Sequence, residues 1–532
     1  MASAAAGGWT DERSAAGDRN PWAIVAVISI ATFMEVLDTS IANVSLTNIA
    51  GGLSVSLDQA TWVLTSYLVS NAIVIPISGW LSDVIGRKRY YMLSVALFTA
   101  ASLLCGLAPN IQVLVIARIL QGIGGGGLAP SEQSILADTF PPAKRGQAFA
   151  AYAIVVVVGP VLGPTLGGYI TDNISWHWIF LINVPIGIGS LLLVNTFVCE
   201  PEALKKERAA KLKSGLSVDW VGFLLIAIGL GCLEVTLDRG EREDWFDSNF
   251  ILVTAALSAT ALIALVVWEL NRKDPIVNLR LMGNRNFSIA LFVMLTTGLI
   301  LFGTTQLIPQ LLQEVLGYSA TDAGLAMTVG GIVTIVVMPL VGVLTGKVDT
   351  RLLLFPALVV TALALWNLSH FNADISFWDA AQGRLFQAVA LPFLFVPINT
   401  VAFVGLPKNQ TNQASALLNV ARNLGGTFGI SWAQTLLAQR GQVQQSRIVE
   451  GLSPLNPNYN EGLGNIAGLV GQATDANMTQ LGILYSQVQK QAQTLAFLDT
   501  FHALMIFVII VAPLTLFLRP PKPGEGGGEG GA

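Results

Sequence analysis

The sequence predicts an all-α membrane protein made of two related six-helix bundles with two further helices inserted between them, and three observations carry that prediction. Of its 532 residues, 53% are hydrophobic and 12% charged, with a mean hydropathy of +0.62, whereas a soluble domain carries about a quarter charged residues. Fourteen runs of mostly uncharged residues are each long enough to cross about 30 Å of hydrocarbon as a helix. Finally, one phrase occurs twice: Arg118-x-x-Gln121, Pro141, Gln147-Ala148, Gly159 and Gly163 return 266 residues later as Arg384-x-x-Gln387, Pro407, Gln413-Ala414, Gly425 and Gly429. Pro76, Gly79 and Leu81 likewise reappear as Pro339, Gly342 and Leu344 at an offset of 263.

Taken in order, residues 1–20 form a polar cytoplasmic arm with Asp11, Glu12, Arg13 and Asp18. The arm lacks the basic-then-apolar design of a cleaved signal peptide, so the first helix is expected to be retained. The first bundle, 21–198, holds spans at about 22–50, 61–81, 90–108, 111–137, 147–170 and 178–198. Residues 199–285 open on the charged stretch from Glu200 to Lys213, read as a solvated linker, and add spans at 218–237 and 250–270. The second bundle, 286–518, holds spans at 287–312, 324–345, 352–369, 381–403, 414–437 and 501–518. Its last two spans enclose a long external loop, 439–498, containing the turn-rich Ser453-Pro454-Leu455-Asn456-Pro457. Within that loop, Leu481, Leu484, Val488 and Leu495 are spaced as on a surface helix. The glycine-rich tail, 519–532, reads as disordered and cytoplasmic.

Basic residues set the expected orientation. With a cytoplasmic N-terminus, 21 of the 29 Lys and Arg fall on that side, among them Arg87-Lys88-Arg89, Lys144-Arg145 and the linker cluster. Arg118, Arg384 and Arg422 lie inside apolar runs, and only Arg239, Arg242, Arg440, Arg447 and Lys490 are left outside. Positive residues accumulate on the cytoplasmic face, so both termini are expected there, as an even helix number requires. Cys105, Cys199 and Cys232 lack metal-ligand spacing, and Gly124 to Gly127 lacks the Lys-Ser/Thr ending of a phosphate-binding loop. Neither metal nor ATP is expected, and no cofactor, enzyme chemistry or nucleic-acid partner. Parallel repeats with intramembrane charges point instead to a transporter.

Two motifs sharpen this. Gly79-Trp80-Leu81-Ser82-Asp83-Val84-Ile85-Gly86-Arg87-Lys88-Arg89 follows the second span; Asp83 is placed to pair with Arg87 and to cap a neighbouring helix N-terminus, and such a cluster can latch the inner face. In the fifth span, Gly159, Gly163 and Gly167 lie four apart and present one small face for close helix packing, while Pro160 and Pro164 each remove a backbone hydrogen bond. The first motif resembles the signature loop of the major facilitator superfamily, and the second the antiporter motif of its proton-driven exporters. Leu37-Asp38-Thr39-Ser40-Ile41-Ala42-Asn43-Val44, the segment from Trp178 to Pro185, Leu237-Asp238-Arg239-Gly240 and the segment from Pro309 to Val315 extend the likeness to the fourteen-helix drug:proton antiporters, EmrB-type multidrug exporters in particular. That resemblance implies the bacterial inner membrane, membrane lipid as surroundings, and the proton as coupling ion. It also implies a periplasmic adaptor and an outer-membrane channel as partners, which would give the external loop a purpose. Glu35, Glu132 and His177 depart from the usual pattern.

Glu35 and Asp38, three apart in the first span, share a helix face at a depth comparable with Arg118. Burial opposes a charge there and a guanidinium favours it, so Asp38, modulated by Glu35 and Arg118, is the expected proton carrier; a structural Asp tying the first helix to its neighbours is the plainer alternative. The ninth span contributes no acid except Glu314 at its end. Arg384 and Arg422 are either satisfied structurally, with Asp379 one partner for Arg384, or attract the anionic end of amphipathic weak acids. Asn43, Gln306, Gln310 and Asn419 are the polar fixtures expected in an otherwise apolar and aromatic substrate pocket, with Asp83, Arg87, Gly159, Pro160 and Gly163 serving gating. The function so read is proton-driven export of hydrophobic or amphipathic toxic compounds by alternating access. A dedicated metabolite exporter, a proton-coupled uptake symporter or a non-transporting sensor would share the fold.

Overall fold

The computed structural model describes residues 15, 19–213, 219–272, 274–345, 347–372, 377–406, 410–452, 459 and 476–519. Most of the N-terminal arm, the turn at 453–457 and all but the first residue of the tail lie outside them. Long helices dominate the described residues. The first half contains α1 (Pro21–Val44), α2 (Leu57–Ile85), α3 (Arg87–Gly106), α4 (Ile111–Thr139), α5 (Pro142–Asn173) and α6 (Trp178–Phe197). After a linker helix, Glu202–Lys213, come α7 (Trp220–Arg239) and α8 (Asn249–Asn271). The second half contains α9 (Arg285–Val315), α10 (Ala320–Thr345), α11 (Thr350–Leu368), α12 (Phe377–Val401), α13 (Thr411–Gly451) and α14 (Ala476–Val511).

Twelve helices among the described residues are long and apolar enough to cross a membrane. Two more long helices, α5 and α13, coincide with the remaining apolar runs, and each packs on helices of both halves. Within each half, the first and fifth helices pair: α1 with α5, and α9 with α13. Between halves the contacts are exchanged, α2 against α13 and α5 against α10. The inserted α7 and α8 pack on each other, and α7 also rests on α2 and α13, one helix from each half.

Glycines set how closely these helices approach. A Cβ on Gly122 would meet the Tyr67 carbonyl oxygen at 2.5 Å, and one on Gly124 the Phe98 nitrogen at 2.6 Å. The glycine run therefore lets α4 lie directly on α2 and α3. Regular helix lapses at Gly126 and Gly127, and the second part of α4 resumes at Leu128 and runs to Thr139. At Gly86, which ends α2 with φ of 99°, the linker helix closes in. Arg208 donates to the Ile85 carbonyl at 3.0 Å and pairs with Glu200 at 2.7 Å, and a Cβ on Gly86 would meet Arg208 Nη1 at 2.1 Å.

The expected long loop is shorter than the sequence suggests. Helix α13 continues to Gly451 and α14 begins at Ala476, so the surface helix expected at 478–498 is the first part of a 36-residue helix. No proline interrupts either extension, and their Gln-rich faces suit water while keeping helical propensity.

Candidate functional site

Asp38 lies in the last third of α1 and is 2% exposed, opposite Arg118 on α4, which is fully buried. Arg118 Nη1 donates to Asp38 Oδ2 at 2.6 Å and to Gln121 Oε1 at 2.6 Å, while Nε donates to the Val63 carbonyl at 3.0 Å. The other carboxylate oxygen, Oδ1, accepts from Gln121 Nε2 at 2.9 Å and Asn183 Nδ2 at 2.7 Å. Ser102 completes the ring by accepting from Gln121 at 2.8 Å. The guanidinium also lies 4.3 Å from the Tyr67 ring centroid and 5.5 Å from that of Phe180, a contact that cations favour. Five helices thus converge on one ion pair whose hydrogen bonds are met inside the protein, the condition under which a buried pair is tolerated. Of the residues that complete it, Gln121 was visible in the doubled phrase and Asn183 in the segment from Trp178 to Pro185. Ser102 had no sequence signal.

Glu35 does not join this cluster. Three residues turn a helix by about 300°, and the remaining offset is enough to aim Glu35 elsewhere. Its Oε1 accepts from Tyr67 Oη and Asn71 Nδ2, both at 3.3 Å. The cation acting on it most strongly is Arg422 from the second half, rather than the expected Arg118. Asn71 in turn accepts from Asn423 of α13 at 3.4 Å.

The second half repeats the Arg-x-x-Gln core of the first cluster around a different acceptor, with Leu368 and Val449 standing 266 residues after Ser102 and Asn183. Arg384 Nη1 donates to Gln387 Oε1 at 2.5 Å, as Arg118 does to Gln121. Gln387 Nε2 then donates to Thr304 Oγ1 at 2.6 Å, as Gln121 does to Asp38. Thr304 stands 266 residues after Asp38, so a hydroxyl occupies the place of the carboxylate. Arg384 also reaches Thr304 and Thr305 at 3.4 Å, and among the described residues no carboxylate pairs with it; the expected partner Asp379 is exposed. Arg422 keeps two buried nitrogens, Nε and Nη1, without a hydrogen-bond partner among the described residues.

The remaining expected substrate contacts are dispersed. Asn43 is exposed and Gln306 half-buried, and Gln310 is held by Glu314 at 3.1 Å and Gln434 at 2.8 Å. Asn419 is buried in the contact between halves, donating to Gln133 Oε1 of α4 at 2.8 Å, not lining an open pocket. An apolar groove of about 500 Å³ lies between α1 and α5, lined by Trp22, Val25, Ile30, Phe33, Ile154 and Val158 among others.

Helix α5 packs against the acid-bearing helix. A Cβ on Gly159 would meet Val36 at 2.6 Å, and one on Gly163 would meet Ser40 Oγ at 2.2 Å. Pro164 has no N–H for the Pro160 carbonyl, and Ser40 Oγ donates to that oxygen at 3.4 Å instead. At the Gly86 end, the signature loop is wired differently from expectation: Arg87 forms its ion pair with Asp138 of α4 and also donates to the Ser134 carbonyl at 3.4 Å. Asp83 accepts from Asn412 in the first turn of α13, so it meets a helix N-terminus, but one belonging to the other half. Thr411 Oγ1 donates to Asp138 Oδ1 at 3.5 Å, and Ser415 Oγ to the Pro130 carbonyl at 2.8 Å. Gly146 and Gly342 bring α5 and α10 into backbone contact, since a Cβ on Gly146 would lie 2.8 Å from the Gly342 oxygen. The halves are closed on one another at this end.

Comparison with known proteins agrees with this architecture. Residues 28–430 match the family model described as Major Facilitator Superfamily. The multidrug export protein EmrB of Escherichia coli K12 is 37% identical over 509 residues, covering 95% of this chain and 96% of the relative. The fatty acid resistance protein FarB of Neisseria gonorrhoeae is 37% identical over 502 residues, covering 94% and 97%. Among solved structures, the proton:xylose symporter XylE shares the fold with a TM-score of 0.58 at 16% identity, covering 94% of this chain and 96% of XylE. With its paired six-helix halves, signature loop and intramembrane Arg-x-x-Gln clusters, the chain belongs to the major facilitator superfamily, among the EmrB-like multidrug exporters.

Proposed function

We propose that this protein is a proton-driven antiporter that exports hydrophobic and amphipathic compounds, weak acids among them, across the bacterial inner membrane by alternating access. In this reading the membrane is crossed fourteen times, both termini face the cytoplasm, and the Gly86 end is the cytoplasmic end, closed here. The observation that carries the reading is Asp38, buried on the helix against which the Gly-Pro face of α5 packs and held by Arg118, Gln121 and Asn183. Protonation of Asp38 removes the charge that Arg118 balances, and a buried guanidinium left without its partner is costly. The cluster therefore has to rearrange as the proton arrives. Because α1 lies directly on Gly159 and Gly163, that rearrangement is transmitted to α5 and from there to its contact with α10 in the other half.

Acidic substrates are supported by two features: the unpartnered buried nitrogens of Arg422, and the 37% identity to a protein named for fatty acid resistance. Fatty acids are amphipathic carboxylates, and a guanidinium is the side chain best suited to a carboxylate. The helical extensions of α13 and α14 beyond the bilayer are the surface on which a periplasmic adaptor, joined to an outer-membrane channel, would dock.

Proteoliposomes with an imposed pH gradient test the reading. Wild-type protein should accumulate a fluorescent amphiphile against its gradient, whereas Asp38→Asn should lose that accumulation and retain downhill exchange. Full gradient-driven accumulation by Asp38→Asn would remove Asp38 from the proton-carrying role.

A further inference from the structure

A second acid in the first half has a setting unlike that of Asp38. Glu132, fully buried on the second part of α4, has no cation in hydrogen-bonding or ion-pair contact among the described residues. Its Oε2 is hydrogen-bonded by Thr32 Oγ1 of α1, and its Oε1 lies 2.9 Å from Tyr91 Oη of α3. Tyr91 Oη also lies 2.8 Å from the Ile28 carbonyl oxygen. A phenol carries one hydrogen, and a backbone carbonyl carries none to give. Tyr91 therefore donates to Ile28, and the short contact with Glu132 is a full hydrogen bond only if the carboxyl group supplies the second hydrogen.

We propose that Glu132 is a second proton-binding site, loaded as the neutral acid in this closed conformation and separate from the Asp38 cluster. The proposal rests on the proton-driven reading for its role in transport, but the hydrogen count on Tyr91 stands without it. The ionisable groups acting on Glu132 are Tyr91 on α3, Tyr152 on α5 and Glu35 on α1. All three are neutral or negative, so none supplies a positive charge to balance a carboxylate there. An uncompensated buried charge is avoided by holding the proton.

The site is coupled to the contact between halves through its neighbour in sequence. Gln133 accepts from Asn419 at 2.8 Å and from Ser415 at 3.2 Å, both on α13. Along α1, Thr32 lies about 9 Å nearer the Gly86 end than Asp38, at about 1.5 Å per residue. When that end opens, water reaches the acid, which releases its proton and becomes a carboxylate. The carboxylate accepts from both Thr32 and Tyr91, and Tyr91 then turns its only hydrogen away from the Ile28 carbonyl. Loss of the proton thus unties α3 from α1, and reloading ties them again. Residue 132 is one whose counterpart in the second half, Ile398 at the 266-residue offset, cannot titrate.

Infrared difference spectra of the purified full-length protein test the assignment. Wild type should show the C=O band of a buried, hydrogen-bonded carboxylic acid. Glu132→Gln should abolish that band and Asp38→Asn should leave it. Tyr91→Phe, which removes the hydrogen-bond acceptor for the acid proton, should shift the band to higher frequency, and it serves as the readout if Glu132→Gln does not fold. A wild-type acid band that survives Glu132→Gln, or that Tyr91→Phe leaves in place, overturns the proposal. Drug-linked proton release is read separately: Glu132→Gln should reduce it without abolishing it, and undiminished release overturns the transport role. No release from wild type, with the band assigned to Glu132, would refute the proton-driven reading and leave the buried acid established.

Discussion

The two Arg-x-x-Gln clusters are the same device built around different acceptors, a carboxylate at Asp38 and a hydroxyl at Thr304. In the first half the guanidinium is neutralised and each carboxylate oxygen is engaged. In the second, Arg384 is held by Gln387 and two threonines, and its Nε has no partner among the described residues. The contrast extends beyond the pair, because Glu132 and Asp138 correspond at the same offset to Ile398 and Val404. Duplication preserved the arginine scaffold in both halves, while among the described residues of the two halves buried acids stand only in the first. Proton chemistry therefore has groups to act on in the first half, and uncompensated positive charge is concentrated in the second.

The most disruptive way to break this comparison is to remove each arginine in turn. Arg118→Gln strands the Asp38 carboxylate, and breaking a buried pair by removing one partner costs about 3–5 kcal/mol. Arg384→Gln strands no charge, so it should cost only the hydrogen bonds, about 1 kcal/mol each. Thermal unfolding of the two variants in the same detergent should rank them in that order, and equal destabilisation would mean that the clusters are not energetically different.

Glycine replacement asks the same question of helix packing. A Cβ on Gly425 would lie 2.0 Å from the Leu295 backbone oxygen, whereas one on Gly167 would come no closer than 3.0 Å, to the Ile41 side chain. Gly425→Ala should destabilise by about 1–3 kcal/mol, the range for overpacking, and Gly167→Ala by less. Gly168→Ala, with nothing within 4 Å of the added carbon, is the control and should leave the unfolding temperature unchanged.

Thr304→Asp sharpens the comparison by rebuilding the first cluster in the second half. The new carboxylate would face Arg384, and the variant should be as stable as wild type or gain up to about 1.5–3 kcal/mol, the range of a hydrogen bond to a charged group. Its transport of anionic amphiphiles should fall relative to cationic ones, because the second half loses positive charge. The smallest effect on folding is expected for Arg422→Gln: it removes two buried nitrogens that lack hydrogen-bond partners among the described residues, and Glu35, on which Arg422 acts without ion-pair contact, keeps its bonds from Tyr67 and Asn71. Stability should hold while anionic substrates suffer more than neutral or cationic ones, and an equal loss of all three would count against an anion-binding role.

Much of this architecture was legible before any coordinates. Hydropathy placed the helices, and the repeat placed Arg118 and Arg384 in equivalent positions. The Asp38–Arg118 contact also followed from depth along two helices. What could not be read was azimuth. Glu35 and Asp38 share a face only loosely, and a rotation of some tens of degrees, set by how α1 packs on Gly159 and Gly163, sends one to Arg118 and the other to Tyr67 and Asn71. The Arg87 ion pair is not the local one with Asp83 that spacing suggests, because its partner Asp138 lies 51 residues away, where sequence spacing carries no geometry. Thr304 carries a sequence signal, since it stands at the repeat offset from Asp38, but a threonine in an apolar helix does not stand out without its partner in view.

The central claim is that the first half carries the coupling proton and the second does not. Drug-induced proton release from the purified protein, measured side by side for wild type, Asp38→Asn and Thr304→Val, tests it most directly. Wild type and Thr304→Val should both release protons on adding drug, and Asp38→Asn should lose most of that release while still binding the drug. Full release from Asp38→Asn, or equal loss in both variants, would contradict the division.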